Sequence, residues 1–348
     1  MDSTRTTIKE LARRSGVSIG TVSRALNGYA DVSEATRERV LQLARELNYA
    51  PAAAARTLVT SRSNVIGVFL ETGEGHPDLQ HPFFHEVLVG LKDTLGKGGY
   101  DLLLFASESP QGGLGEHSRL SRCRQHHVDA VAVMGLPHDD VELRELARSS
   151  VPCVGVDVEV FGPASSYVMS DNVDGGHRAT AHLVQLGHRR IATICGRLDT
   201  RPGVDRLRGY RDGLAEGALG YRDEYVRGGD FYVDSGRAAA HELLALDEPP
   251  TAIFAAADLM AAGVLQAAAE RGLSVPGDLS VVGFDDIMHA AHLGPGLTTI
   301  RQDKTGLGTT AGQAILAAVA GEDGGSPEPA TLPVSLVQRG TTGPPAAR

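Results

Sequence analysis

The chain has 348 residues, 42% of them hydrophobic, and a formal charge of −10, which suits a soluble protein of two or three domains with a sizeable core. No apolar run approaches the length of a membrane span and no apolar leader opens the chain, so the expectation is a cytoplasmic protein without a membrane partner. The charge is uneven: residues 1–62 carry ten Lys/Arg against six Asp/Glu, a surplus of +4 that leaves −14 on the remainder. Such a balance excludes nucleic-acid binding over the whole surface, confines phosphate attraction to the N-terminal segment, and predicts that two heads act together.

That segment predicts two short helices across a tight turn, between Leu11 and Asn27. Ala12 is small enough for close helix crossing, Gly16 allows the positive φ of the turn, and Val22 closes the core. Ser18 is placed to cap the second helix, which turns Ile19, Gly20, Ser23 and Arg24 outward and Val22 and Leu26 inward. This is a helix-turn-helix, whose second helix fits the DNA major groove; an amphipathic pair within a helical bundle is the plainer alternative. Ser33 caps a third helix with Val40, Leu41, Ala44 and Leu47 at helical spacing, ending at Leu47-Asn-Tyr-Ala-Pro51. The next stretch, Pro51 to Leu58, has high helix propensity but only about two turns of chain, too few for a helix that is stable alone.

From Asn64 the pattern alternates strands and helices. Strands are expected over 65–70, 100–105, 128–134 and 151–156, with helices over 83–97, 116–125 and 141–149 between them. A second series starts near Tyr167, with strands over 191–195, 252–256 and 279–282 and helices over 175–186, 204–215, 235–246 and 259–271. Near-continuous apolar strands separated by helices predict parallel sheets covered on both faces, so the fold class is α/β behind an all-α N-terminal head. The segments 298–303 and 332–337 can cross back between two such sheets. Ligands of open parallel sheets bind outside the carboxyl ends of the strands, which points to a cleft between the lobes. The Gly/Pro-rich stretches 322–329 and 341–348 are expected to be a loop and a disordered tail.

The motifs Gly16-Val-Ser-Ile-Gly-Thr-Val-Ser-Arg24, Leu47-Asn-Tyr-Ala-Pro51 and Ala55-Arg-Thr-Leu58 resemble those of the lactose-repressor (LacI/GalR) family of bacterial transcription regulators. The resemblance continues through Pro82-Phe-Phe84, Leu186-Gly-His-Arg-Arg-Ile191, Val281-Val-Gly-Phe-Asp-Asp286, Leu297-Thr-Thr-Ile-Arg-Gln-Asp303 and Leu332-Pro-Val-Ser-Leu-Val337, nearly the whole chain. It implies a DNA-binding domain over 1–50, a hinge helix and linker over 51–62, and a periplasmic-binding-protein-like sensor over 63–340. Its lobes are expected at about 63–165 with 301–331 and about 166–300 with 332–340. No leucine heptads follow Val337, of the kind that tetrameric relatives use, so a homodimer is expected.

Arg24 is the candidate for direct base readout, since an exposed guanidinium can bind guanine O6 and N7 together. The family's operator-selecting positions match Ile19, which can touch a thymine methyl, and Gly20, which departs from relatives that carry a polar reader there. Thr7, Ser18, Thr21, Ser23, Asn27 and Tyr49 suit phosphate contacts, which position without reading sequence. The resemblance implies that Leu58, from paired hinge helices, wedges between base pairs of the minor groove.

For the effector, the resemblance implies Phe83 and Phe84 packing on the ligand, Arg206 and Asp285 as bidentate donor and acceptor, and Phe231 as an aromatic platform. Asp157, after the 151–156 strand, is added. Together they suit a sugar-like, polyhydroxylated ring. Ala257-Asp258 departs from an Asn-Asp pair common among relatives. The pairs His81/His85 and His289/His292 lack companion ligands at metal spacing, so polar pocket or surface roles are expected. No dinucleotide motif in context and no nucleophile elbow appear, so neither a cofactor nor an enzyme is expected. The expected function is a repressor of a carbohydrate-use operon, with a purine-type ligand or phosphoprotein partner as alternatives within the class. A soluble binding protein or a sugar-modifying enzyme is the alternative outside it. Cys123, Cys153 and Cys195, odd in number and far apart, are expected to be buried free thiols.

Overall fold

The computed structural model describes residues 6–26, 29–47, 49, 62–71, 78–106, 118–321 and 327–346. Asn27 and the hinge expected over 51–62, up to 61 and including Leu58, lie outside them. The chain divides into two compact units, 1–63 and 64–348.

The first unit contains α1 (Ile8–Ser15), α2 (Ile19–Leu26) and α3 (Glu34–Glu46). Thr7 caps α1 by accepting the Glu10 N–H, and Gly16 ends it at φ +70°, its N–H returning to the Ala12 carbonyl at 3.0 Å. Leu11, Ala12, Val22, Ala25, Val32, Val40 and Ala44 form the buried core, with Leu26 and Tyr49 half-buried against it. The residues expected to close the helix crossing do so.

The second unit holds two six-stranded sheets. The first lobe contains β1 (Val65–Leu70), α4 (Pro82–Lys97), β2 (Asp101–Leu104), α5 (Arg119–Gln125), β3 (Ala130–Met134), α6 (Val141–Ala147), β4 (Cys153–Val156) and β5 (Ser165–Ser170). The second contains α7 (Asn172–Gln185), β6 (Ile191–Cys195), α8 (Arg201–Glu216), β7 (Val226–Gly228), α9 (Val233–Leu243), β8 (Ala252–Ala255), α10 (Asp258–Glu270), β9 (Ser280–Asp285) and β10 (Thr298–Gln302). The chain then returns to the first lobe with α11 (Lys304–Ala320) and β11 (Ala330–Leu332), and ends in the second with β12 (Val334–Val337). Strand orders are β11-β5-β4-β3-β1-β2 and β12-β10-β9-β8-β6-β7, parallel except where β12 runs against β10. Helices α4 and α11 cover one face of the first sheet and α5 and α6 the other; α7 with α8 and α9 with α10 do the same for the second.

Two expectations need correction. The first crossing between lobes comes after β5, not near residue 165, because Cys153 to Val156 of β4 pair with Ser165 to Val168 and hold that strand in the first sheet. The 341–348 tail is not a disordered appendage through residue 346. Thr341 is fully buried, donates its hydroxyl to the Val281 carbonyl at 2.8 Å and accepts the Thr298 N–H at 2.8 Å, so the segment satisfies backbone groups of the second sheet. The edge strand β7 was unforeseen: it is three residues long with Arg227 at its centre and has no apolar run.

Asp171 caps α7 and Asp303 caps α11, each accepting the N–H three residues on, at 2.9 and 2.8 Å. Both aspartates sit at crossings between lobes, and the Asp171 N–H also binds the Leu332 carbonyl at 2.8 Å, tying two crossings together. Cys123, Cys153 and Cys195 are buried free thiols, and burial pushes the Cys123 thiol up to about 12. Among the described residues no helix is long and apolar enough to cross a membrane.

Candidate functional site

On the head, Ser18 caps α2 by accepting the Thr21 N–H at 3.1 Å, and the two hydroxyls lie 2.9 Å apart. Thr7 and Ser18 are therefore helix caps whatever else they contact. Ile19 is 45% exposed and Gly20 is exposed beside it. Ser23 is half-buried, and Tyr49 packs on the core with its phenol pKa raised by burial. Arg24 lies on the exposed face, where Nη1 meets Asp31 Oδ2 at 3.0 Å and Nε donates to the Gly20 carbonyl at 3.3 Å.

In the second unit, the carboxyl ends of both sheets face one cleft, whose empty space together with its solvent-open mouth is about 600 Å³. Phe83 and Phe84 enter from the start of α4, Asp157 from just after β4, Arg206 from α8, Phe231 from after β7, and Asp285 from the end of β9. All six residues expected at the effector site are thus brought together. Three of them, Asp157, Phe231 and Asp285, have φ of +54°, +75° and +116°, backbone conformations that favour glycine. Strain of this kind persists where surrounding contacts impose it, and here it lies on the cleft wall. One such contact is Phe231 against Gly196, where a Cβ would fall 1.9 Å from the ring. Another is Lys304, whose buried ammonium donates to the carbonyls of Asp285 and Asp286 at 2.7 and 3.0 Å.

Arg206 is the electrostatic centre. Its side chain is 4% exposed; Nε donates to Asn172 Oδ1 at 2.8 Å and Nη1 to the Ala256 carbonyl at 2.6 Å. The guanidinium lies 3.8 Å from the Phe284 ring centroid and 5.8 Å from that of Phe231. Burial pulls its pKa down, and Asp285 and Asp157 oppose that pull. Burial also raises Asp157 to about 6 and raises Asp285, in both cases against the attraction of Arg206. Asp285 Oδ1 accepts from Gln302 Nε2 at 2.6 Å, whereas Oδ2 is buried with no hydrogen-bond partner. Asp258, beside the departure at Ala257, is wholly buried and accepts from the Ile287 N–H and the Thr299 hydroxyl, so it braces β9 and β10.

Sequence reasoning missed Arg197, Asp230 and Tyr232 on the cleft wall, whereas His81, for which a polar pocket or surface role was expected over a metal one, lies on it. The signal for His81 was the following Pro82, which marks the start of a helix and makes position 81 its cap. His85, His289 and His292 are exposed, and no group of three or more His, Cys, Asp or Glu that could hold a metal occurs among the described residues.

Residues 7–52 match the family described as bacterial regulatory proteins, lacI family, and residues 180–342 match a periplasmic binding protein-like domain. The chain is 39% identical over 337 residues to the HTH-type transcriptional regulator CelR of Thermobifida fusca, covering 96% of this chain and 95% of CelR. It is 35% identical over 312 residues to the HTH-type transcriptional repressor PurR of Erwinia tasmaniensis, 89% of each. Among solved structures it is similar to the transcriptional regulator CelR–cellobiose complex, with TM-score 0.74, 34% identity, and coverage of 97% of this chain and 100% of that one. Similarity to the lac repressor dimer bound to operator and the anti-inducer ONPF gives TM-score 0.83 at 30% identity, covering 97% and 99%. With this identity spanning nearly the full length of both chains, and a helix-turn-helix and a two-lobed cleft both present, the chain belongs to the lacI family of bacterial regulatory proteins.

Proposed function

We propose that this chain is a dimeric, sequence-specific DNA-binding transcriptional regulator that represses carbohydrate-use genes and is controlled by a small sugar in its interlobe cleft. The observation that carries the ligand reading is the convergence of Arg206, Asp285 with an unpaired buried oxygen, and the rings of Phe84 and Phe231 in one cleft. A fixed donor, a carboxylate acceptor and flat apolar faces are the groups that hold a polyhydroxylated ring. The solved complex of the related CelR contains cellobiose, which makes cellobiose the first ligand to test.

The head supplies the DNA-binding half of the reading through the exposed face of α2, with Ile19, Gly20 and Arg24 at the bases and Thr7, Ser18, Thr21 and Ser23 at phosphates. Control follows from linkage: a ligand that binds one arrangement of the lobes better than another shifts the population and thereby the operator affinity. Gel shifts on the DNA flanking the gene, with and without cellobiose, test both halves. Retarded specific DNA released by cellobiose is the expected result, and stronger retardation would make the sugar a corepressor. Thermal shift against a sugar panel with purines included decides the ligand class, because a ligand stabilises the state it binds. Stabilisation by a purine and by no sugar would replace this reading.

A further inference from the structure

The end of β9 carries two successive residues in the left-handed region, Asp285 at φ +116° and Asp286 at φ +51°, and Asp285 belongs to the cleft wall. Their carbonyls converge on one cation. Lys304 Nζ donates to the Asp285 carbonyl at 2.7 Å and to the Asp286 carbonyl at 3.0 Å, with Glu86 Oε1 of α4 at 3.5 Å. An ammonium is compact and has three donors, so it can serve both carbonyls at once from a buried position. Lys304 opens α11 and therefore belongs to the first lobe, whereas Asp285 ends a strand of the second. Its seat is firm, because α4 and α11 meet backbone to backbone: a Cβ on Gly90 would fall 2.1 Å from the Thr305 carbonyl, and one on Gly308 would fall 1.9 Å from the Val87 carbonyl. The same helix pair presents Phe83 and Phe84 to the cleft.

Other ties hold either the lobes or the aspartate, not both. The His138 N–H on the Asp199 carbonyl at 2.8 Å, and Arg201 with Glu159 at 3.2 Å, join the lobes through residues that do not line the cleft. Gln302 Nε2 holds the Asp285 carboxylate at 2.6 Å from within the second lobe. We propose that Lys304 is a positioning residue for ligand binding: from the first lobe it holds the Asp285 peptide in its strained conformation, and so sets where the Asp285 carboxylate stands relative to Phe83 and Phe84. Lys304 does not itself line the cleft, so its effect on a ligand passes through Asp285. This inference rests on the reading of the cleft as a sugar site. A lysine that only satisfied the end of a strand would change stability and leave the placement of the carboxylate alone.

The test is calorimetric titration of the full chain with cellobiose, in the wild type, Lys304→Met, Asp285→Ala and the double variant. Methionine keeps an unbranched stem and removes the ammonium, so cellobiose should bind about tenfold more weakly. On the Asp285→Ala background the same substitution should cost at most about twofold, because no carboxylate is left to place. An equal fold-loss on both backgrounds, or no loss on the wild type, would overturn the proposal. Hydrogen exchange of the free protein decides without any ligand. The Ile287 N–H, two residues beyond Asp285, donates to Asp258 Oδ2 at 2.8 Å, and the Val281 N–H earlier in the same strand donates to the Thr341 carbonyl at 2.8 Å. In Lys304→Met the ratio of the Ile287 to the Val281 exchange rate should rise about tenfold, whereas equal acceleration of both would make Lys304 a stabilising residue only and overturn the proposal. Should Lys304→Met not fold, Lys304→Arg carries the exchange measurement with the same expectation, since a planar guanidinium cannot occupy the point where the ammonium meets both carbonyls. If the wild type binds no cellobiose, the sugar reading fails by itself, and the exchange ratio alone decides whether Lys304 places Asp285.

Discussion

Arg206 Nη1 stands 3.6 Å from Asp285 Oδ1, with both side chains buried, yet each is held more closely by another group. Arg206 binds Asn172 and the Ala256 carbonyl, and Asp285 binds Gln302 at 2.6 Å. The two are therefore unequal probes of the cleft. Removing Arg206 leaves Asp285 and Asp157 uncompensated in a buried setting, a loss of about 3–5 kcal/mol by comparison with other buried pairs. Arg206→Ala should lower both stability and ligand affinity. Asp285→Asn keeps the shape and the Gln302 contact while removing the charge, so it should weaken cellobiose by roughly 1.5–3 kcal/mol with a smaller change in Tm. Calorimetry beside thermal denaturation checks this, and undiminished affinity in Asp285→Asn would remove the aspartate from the site.

Arg24 presents a second consequence. Its guanidinium is paired with Asp31 at 3.0 Å, both side chains being about half exposed, so a base must compete with that carboxylate. An exposed pair of this kind is weak. Asp31→Asn should therefore raise operator affinity only a few-fold, most at low salt, whereas Arg24→Ala should cost about 1–3 kcal/mol per contact and relax discrimination at one base pair of each half-site. Binding measured on operator and random DNA separates the two effects. Equal weakening on both by Arg24→Ala would reduce Arg24 to a phosphate contact.

The helix-turn-helix was legible because its determinants are local: Ala12, Gly16, Ser18 and Val22 each act within a few residues of the turn they shape. The βα alternation was legible for the same reason, since the apolar runs of β1, β3, β6 and β9 are buried on both faces. What escaped depends on pairing between distant segments. Ser165 to Ser170 carries no mark of its lobe, and only its register with β4 assigns it. The tail looks like a linker by composition, but the threonines among its glycines and prolines reach backbone atoms that the sheet leaves unpaired. At the cleft, Arg206 and Asp285 came from family motifs, whereas the cap bond that holds the His81 ring on the cleft wall depends on how α4 starts and shows only in the structure.

The tail supplies a prediction of its own. The Val281 N–H donates to the Thr341 carbonyl at 2.8 Å, and the Thr341 hydroxyl bridges the Val281 carbonyl and the Thr298 N–H. Ending the chain at residue 340 would expose or orphan these groups, each at about 1–3 kcal/mol if it stays buried. Truncation after Gly340 should lower Tm by many degrees, while truncation after Ala346 should leave it unchanged. Equal Tm for the two truncations would show that the segment contributes nothing to folding.

Two histidines beneath this segment make the fold sensitive to acid. His188 is 1% exposed, with Nδ1 against the Thr251 hydroxyl at 2.9 Å and Nε2 near the Ser280 hydroxyl and the Gly343 carbonyl at 3.0 and 2.9 Å. His182 Nε2 meets the Thr342 hydroxyl at 3.0 Å. Burial lowers the pKa of both, for His182 with the His188 charge adding to it and for His188 against the Gly343 carbonyl. The unfolded chain binds protons at these rings near about pH 6.5, and the folded chain binds them only at lower pH. In the interval between, the unfolded state holds more protons, so stability falls as pH falls. The contribution is fully present above about pH 6.5 and is lost as the pH drops toward the lowered folded values. Asp157 and Asp285, raised in the folded state, push the other way over part of this range, so the comparison must be between proteins that share them. Denaturant unfolding of the wild type and of a His182→Gln, His188→Gln double variant, between about pH 7.5 and about pH 5.5, should give a steeper acid loss in the wild type. The difference in slope is independent of any constant destabilisation in the variant. Parallel curves would mean that the two rings titrate alike folded and unfolded, and that the packing of the tail against them does not hold them neutral.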